Sequence, residues 1–232
     1  MKINKKVVFI ILGVLVLISV LSGAIYFGYK TYQVSILKKE TNKIGSMDIM
    51  KDHVDSKIYT SGKYRVVEKT MKKYIDDYAT VSKKVLSLLS DEKLKNLLTV
   101  STIKEDGKEF PNTISYLNQK KADLETTMNQ MITMTSDKEI MKAIESTKVD
   151  VYYQNLYREL MLDSSISDAL KQEQNHLIDT KNDTIEFIDH YIAIFEFLKE
   201  NAYNYTVTED QILFNSESLY QQYQSHLENL KK

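Results

Sequence analysis

Six acidic and histidine residues fall within one predicted helix, at spacings that could bind a metal. Glu173 and His176 match the Glu-x-x-His spacing of carboxylate-bridged di-metal bundles, in which residues three apart share a helix face. His176 also begins a line of residues with 3-4-3-4 spacing, which places five polar side chains on one stripe of the helix. This polar stripe consists of His176, Asp179, Asp183, Glu186 and His190.

The polar stripe has two interpretations. A di-metal site needs a second Glu-x-x-His helix and two further carboxylates, and the sequence contains no second copy of the motif. The stripe lies roughly 100° around the helix from the apolar residues Ile185 and Ile188, as the solvated side of an amphipathic helix does. The alternative is a cation-binding or partner-binding surface that includes the two histidines. We expect the solvated face, with no metal, cofactor or catalytic residue.

Other catalytic motifs are missing from the sequence. It contains no Gly-x-Ser-x-Gly, no glycine-rich phosphate loop and no His-Glu-x-x-His. Because cysteine is absent, disulfides, thiolate metal sites and cysteine nucleophiles are excluded. We therefore expect a protein that is not an enzyme.

Tyrosine and methionine are frequent enough to form a binding cleft. The chain has 16 tyrosines and no tryptophan, and Tyr152, Tyr153 and Tyr157 cluster on one predicted helix. Tyrosine is enriched at binding surfaces, and methionine lines adaptable apolar grooves. Because many of these residues fall at core spacing, we expect most of them to pack in the core. A loose methionine stripe consists of Met128, Met131, Met134 and Met141.

An uncharged apolar run near the N-terminus predicts a transmembrane helix. The run Val7–Phe27 is 21 residues long, and a helix of about 20 apolar residues crosses the hydrocarbon core of a bilayer. Lys2, Lys5 and Lys6 precede it, and positive flanks stay in the cytoplasm, so we expect the C-terminal domain outside the cell. The alternative is a signal peptide cleaved near Ser22-Gly23-Ala24, although the run exceeds the usual apolar region of signal peptides.

Charge is distributed unevenly along the chain. Residues 1–44 hold seven lysines and one acid, whereas the remainder carries 24 basic and 31 acidic residues. A domain with this acidic excess lacks the electrostatic footprint of a nucleic-acid-binding protein. Only two residues are arginine, and isoleucine, asparagine and tyrosine are frequent, which is typical of an AT-rich bacterial genome.

The rest of the chain has the periodicity of long helices. One proline and six glycines leave few helix breakers. A second helix is expected after Pro111, a third from the capping box of Ser136 and Glu139 through Val151 to Leu160, and a fourth from Ser165 to about Asn201. The first helix carries a heptad seam: Tyr64, Val67, Met71, Tyr74, Tyr78, Val81, Val85 and Leu88.

These patterns together predict an all-α protein. A transmembrane helix precedes an extracytoplasmic up-and-down bundle of four to five helices, which ends in a small β-hairpin and a terminal helix. The predicted boundaries are a cytoplasmic tail at 1–6, the transmembrane helix at 7–27, a stalk or hinge at 28–60 and the bundle at 61–232. Within the bundle, the hairpin covers about 203–214 and the last helix about 216–231.

The predicted function is that of a membrane-anchored helical bundle serving as a protein-interaction or structural module of the cell envelope. Its partners would be the lipid bilayer, through residues 7–27, and a protein partner or a second copy of the chain. The alternative is a ligand-sensing or ligand-binding ectodomain that works with a membrane partner. Two further hypotheses are a metal-dependent bundle enzyme and a secreted protein with a cleaved signal peptide.

Overall fold

The structure, a computed structural model, describes residues 27–48 and 51–230. These residues are mostly helical, as predicted, with a small antiparallel hairpin near the C-terminus. The predicted tail at 1–6 and all but the last residue of the predicted transmembrane segment lie outside the described residues. Within the described chain, no helix is both long enough and apolar enough to cross a membrane.

The described helices are separated by short connections. The first, α1, covers residues 27–45 of the described chain. The others are α2 (Gly62–Leu89), α3 (Glu92–Lys95), α4 (Val100–Asp106), α5 (Pro111–Met134), α6 (Asp137–Glu145), α7 (Val151–Met161), α8 (Ser164–Glu200) and α9 (Glu217–Asn229). Strands β1 (Tyr205–Val207) and β2 (Ile212–Phe214) lie between α8 and α9.

The chain divides into two compact units. Unit 1 contains the described residues up to Asp76 together with Ile140–Asp163, and unit 2 contains Asp77–Glu139 and the chain from Ser164 onward. The helix α2 therefore supplies its first half to unit 1 and its second half to unit 2.

The core of unit 1 forms around the first half of the α2 heptad seam. Tyr64, Val67 and Met71 are buried there, as the spacing predicts. Leu37 and Ile44 of α1 are buried as well, so the segment predicted as a stalk or hinge supplies core side chains to this unit. Burial of each large apolar side chain stabilises the fold by about 1.5–3 kcal/mol relative to exposure.

In unit 2, α5 and α8 pack along each other in opposite directions. Near the middle of α5, Lys121 Nζ donates to Asp189 Oδ1 at 2.5 Å, whereas near its end the Ile132 carbonyl accepts from Gln174 Nε2 at 3.2 Å. Because the partner number falls as the α5 number rises, the two helices are antiparallel. Their facing side chains form most of the unit 2 core, including Leu117, Leu124, Met128, Ile188 and Phe195.

The start of α5 is fixed by a side chain from the preceding helix. Pro111 is the first residue of α5, where its missing N–H costs nothing. The N-cap residue Phe110 has a left-handed backbone (φ 49°) and no side-chain cap. Instead, Asp106 accepts from the amides of Asn112 and Thr113, at 3.1 and 2.7 Å. These bonds satisfy two of the free N–H groups at the helix start.

The predicted third helix is divided into two helices, α6 and α7, so the prediction of one continuous helix is wrong. The capping box is present, since the Glu139 amide donates to Ser136 Oγ at 3.3 Å, but α6 ends at Glu145. Lys148 has a left-handed backbone (φ 58°), which a continuous α-helix does not allow. Asp150 then opens α7 as an N-cap in an extended conformation, and Val151 is 67% exposed instead of lying in the core.

The predicted C-terminal hairpin is confirmed and packs within unit 2. Tyr205 pairs with Phe214 and Val207 with Ile212 in an antiparallel register. Tyr205 is buried, and the Phe214 ring lies 5.2 Å from the ring of Tyr223 on α9. Such packing is required because an isolated two-stranded hairpin is marginal in water.

Candidate functional site

The six residues that the sequence offers as weak candidates for metal ligands lie on the exposed side of α8. Glu173, His176, Asp179, Asp183 and Glu186 are exposed, and His190 is partly exposed. Among these six residues, His190 Nε2 lies 3.6 Å from Glu186 Oε1. Among the described residues, no three acidic or histidine side chains converge in a way that could hold a metal ion. The stripe alternates with the buried residues Leu177, Ile188 and Tyr191 of the same helix.

A group of three charged residues that the sequence analysis did not single out is buried in unit 1. We call Glu40, Glu68 and Lys72 the buried charge cluster. Lys72 Nζ lies 2.9 Å from Glu68 Oε1 and 2.8 Å from Glu40 Oε2, and all three side chains are almost fully buried. Lys72 Nζ and Glu40 Oε2 are at ion-pair distance, and by geometric criteria Glu40 Oε2 has no hydrogen-bond partner in the described chain.

The segment between α1 and α2 closes over the buried charge cluster. Glu68 Oε2 accepts from the Thr60 amide and from Thr60 Oγ1, both at 2.8 Å, and the Tyr59 amide donates to the same carboxylate. Lys72 Nζ donates to the Lys57 carbonyl at 2.6 Å. The cluster thus holds α1, the 57–60 segment and α2 together at a single point.

The hydrogen bonds of the cluster set its protonation. Burial alone would raise the pKa of Glu68, but hydrogen bonds from Lys72, Thr60 and Tyr59 lower that pKa below its ordinary value. Burial alone would lower the pKa of Lys72, but the carboxylates of Glu40 and Glu68 raise it. A lysine that is held as an ammonium cannot act as a base or nucleophile. The cluster therefore joins charged side chains of α1 and α2 in a fixed arrangement around one ammonium group.

A groove in unit 1 offers a surface that could bind a partner or ligand. It has a volume of about 470 Å³ and lies between α1 and α7. Lys30 Nζ lies 4.3 Å from the centroid of the Tyr152 ring, a cation–π contact that places both groups at the groove. The side chains that line the groove are Phe27, Lys30, Thr31 and Val34 of α1 and Tyr152, Asn155, Leu156 and Glu159 of α7.

Aromatic contacts connect the groove to the start of α2. The buried ring of Tyr64 lies edge-on to Tyr29, at 6.1 Å, and to Tyr153, at 5.1 Å. Tyr153 in turn lies 5.0 Å from the Tyr152 ring in the groove. Pairs with this geometry contribute about 0.5–1.5 kcal/mol each beyond their buried area. The groove wall is therefore supported by packed rings.

Two hydrogen bonds fasten α1 to the residue before α2. The buried Gln33 accepts from the Ser61 amide at 2.9 Å, and the hydroxyls of Tyr29 and Ser61 lie 2.9 Å apart. The groove face of α1 is thereby held by contacts on the opposite side of that helix. Such support gives a binding surface a defined shape.

Sequence reasoning identified part of this site. It placed Tyr152 and Tyr153 on one helix and treated them as core residues, whereas Tyr152 lines the open groove. It did not identify the buried charge cluster. One local signal was available, because Glu68 and Lys72 each follow a seam residue directly and are four residues apart, so they share one edge of the seam.

Comparison of the chain with protein families, with curated proteins and with solved structures returns no match.

Proposed function

We propose that this protein is a membrane-anchored extracytoplasmic helical protein that acts as an interaction or structural module of the cell envelope. The observation that carries the proposal is the uncharged run Val7–Phe27, whose last residue is also the first described residue of α1. A helix that continues out of the bilayer would transmit the position of the anchor directly to unit 1. The lysines before the run favour a cytoplasmic N-terminus.

The packing of the described helices supports an up-and-down bundle as the body of this module. In unit 2, α5 is antiparallel to α8, and it is also antiparallel to the end of α2. Ser82 contacts Met131 near the end of α5, and Asp91 accepts from Tyr116 near the start of α5. We propose that the whole bundle consists of four to five such helices. A non-enzymatic role fits the buried charge cluster, in which the Glu68 carboxylate already accepts hydrogen bonds from Tyr59 and Thr60.

Single-cysteine labelling of intact cells would test anchoring and orientation, because the chain has no cysteine of its own. Tyr203 is 90% exposed in unit 2, and Asn4 lies before the apolar run. We expect Tyr203→Cys to react with a membrane-impermeant maleimide on intact cells, and Asn4→Cys to react only after lysis. Equal labelling of both variants on intact cells would refute the proposed orientation. Recovery of the chain in the soluble fraction would refute the anchor.

The groove between α1 and α7 favours a second candidate function, a ligand-binding ectodomain. Its volume of about 470 Å³ falls within the range of small-molecule sites, and it combines aromatic walls with a few polar groups. Changing Asn155 to Leu would remove a polar group without adding charge. If the protein binds a small polar ligand there, thermal stabilisation of the wild-type chain by that ligand should be lost in Asn155→Leu and kept in Ser218→Leu, a change on α9.

A further inference from the structure

The groove of unit 1 begins at the last residue of the uncharged run. Phe27 ends that run and is also the first side chain that lines the groove. Lys30 and Thr31 follow within one turn, which is about 6 Å along a helix that rises 1.5 Å per residue. The polar layer on each side of the hydrocarbon core is about 5–8 Å thick. The proposed anchor would therefore bring this part of the groove to the depth of the lipid headgroups.

Exposed aromatic side chains surround the same end of α1. Phe27, Tyr29 and Tyr32 are all exposed there, and Tyr152 is exposed at the start of α7. Rings of this type are enriched at membrane–water interfaces, where the ring is buried and the hydroxyl stays wet. Such exposure costs free energy in water and is relieved when the rings enter an interface.

The polar groups of the groove match the two charges of a zwitterionic headgroup. Lys30 can donate to a phosphate, and the carboxylate of Glu159 on the facing helix carries the negative charge that attracts a quaternary amine. The Tyr152 ring, which already lies under the Lys30 ammonium, is the kind of surface that also binds quaternary amines.

We propose that the groove between α1 and α7 rests in the headgroup layer of the membrane and takes a lipid headgroup as its occupant. This inference rests on the proposed anchor. The membrane contact would fix unit 1 against the lipid surface at a second point, in addition to the anchor itself.

Tryptophan fluorescence gives a direct test, because the chain contains no tryptophan. Tyr152→Trp would place a fluorophore at the groove, and Tyr220→Trp on α9 is a matched control, since the two tyrosines are 39% and 42% exposed. The full chain would be reconstituted into phosphatidylcholine vesicles that contain lipids brominated near the headgroup end of the acyl chain. We expect quenching of Tyr152→Trp to be at least about twofold stronger than quenching of Tyr220→Trp, as for an interfacial ring.

Flotation of the same vesicles separates the two proposals. If the chain floats with the vesicles but Tyr152→Trp is quenched no more than Tyr220→Trp, the anchor stands and the headgroup contact is refuted. If the chain does not float, both proposals fall. A second arm uses Lys30→Gln in the Tyr152→Trp background, in which we expect weaker quenching by the brominated lipids. Unchanged quenching would show that the ring enters the interface without a headgroup bound at Lys30, and would refute the proposed occupant.

Discussion

Lys72 and Glu68 lie one turn apart on α2, with Nζ 2.9 Å from Oε1, and both side chains are buried. Pairs with this i, i+4 spacing are common on helix surfaces, where they contribute little to stability. Here the pair is desolvated and shares its cation with Glu40 of α1. Removing one partner from such a group leaves an uncompensated charge in the interior.

We expect Lys72→Met to reduce the free energy of unfolding by about 3–5 kcal/mol, because the carboxylates of Glu40 and Glu68 would lose their cation. The matched control is Lys171→Met on α8, where the lysine is exposed and pairs with Asp168 at 3.8 Å. That change should cost at most about 0.5 kcal/mol. Urea denaturation of the full chain in detergent, followed by circular dichroism, would compare them. Equal losses would show that the buried charge cluster does not stabilise unit 1.

The stability of the protein should depend on pH at both limits through this cluster. The lowered pKa of Glu68 means that its contribution is present above the unfolded pKa and lost as the pH falls through the folded pKa. The raised pKa of Lys72 means that its contribution is present below the unfolded pKa and lost as the pH rises through the folded pKa. We therefore expect a plateau of melting temperature between about pH 5 and about pH 10.

A comparison of wild type with Glu68→Gln isolates the acidic limb of this profile. Other carboxylates also contribute to that limb. Hydrogen bonds from Lys120 and Tyr116 lower the pKa of Asp91 to about 2, and its contribution is lost as the pH falls from about 4 toward 2. Asp91 titrates in both proteins, so the difference between their melting curves reports Glu68. Parallel curves below pH 5 would contradict the assigned role of Glu68.

The second half of α2 should tolerate a charge on its exposed face but not at a buried seam position. Val81 is 8% exposed within the unit 2 core, and Leu86 is 52% exposed on the same helix. We expect Val81→Asp to lower the free energy of unfolding by several kcal/mol, because an unpaired carboxylate would be buried. Leu86→Asp should change it by at most about 0.5 kcal/mol. A wild-type melting temperature for Val81→Asp would refute the seam assignment.

The polar stripe of α8 should be dispensable for stability. His176 is exposed, and the partly exposed His190 lies 3.6 Å from the exposed Glu186. Exposed ion pairs are worth about 0–1 kcal/mol, so the double variant His176→Ala/His190→Ala should melt close to wild type. Elemental analysis of the purified protein provides the second readout. A bound metal that is present in wild type and lost in the double variant would revive the metal-site hypothesis.

Local patterns in the sequence predicted most of the secondary structure. The 3-4 spacing predicted α2 and its seam, Pro111 predicted the start of α5, and the alternation of residues 203–207 predicted the hairpin. These signals are local because helix and strand periods depend on neighbours within a few residues. The break between α6 and α7 was not predicted, because neither glycine nor proline marks the left-handed position at Lys148.

The buried charge cluster and the groove were decided only by tertiary structure. Glu40 and Lys72 are 32 positions apart, and no periodicity links them until α1 packs beside α2. The groove needs α1 and α7, whose residues are more than 100 positions apart in the chain. The sequence alone determined which helix faces are apolar, because the free energy of transferring a side chain from water depends on the type of that side chain. Which charges share a buried pocket depends on distances that only the packed chain defines.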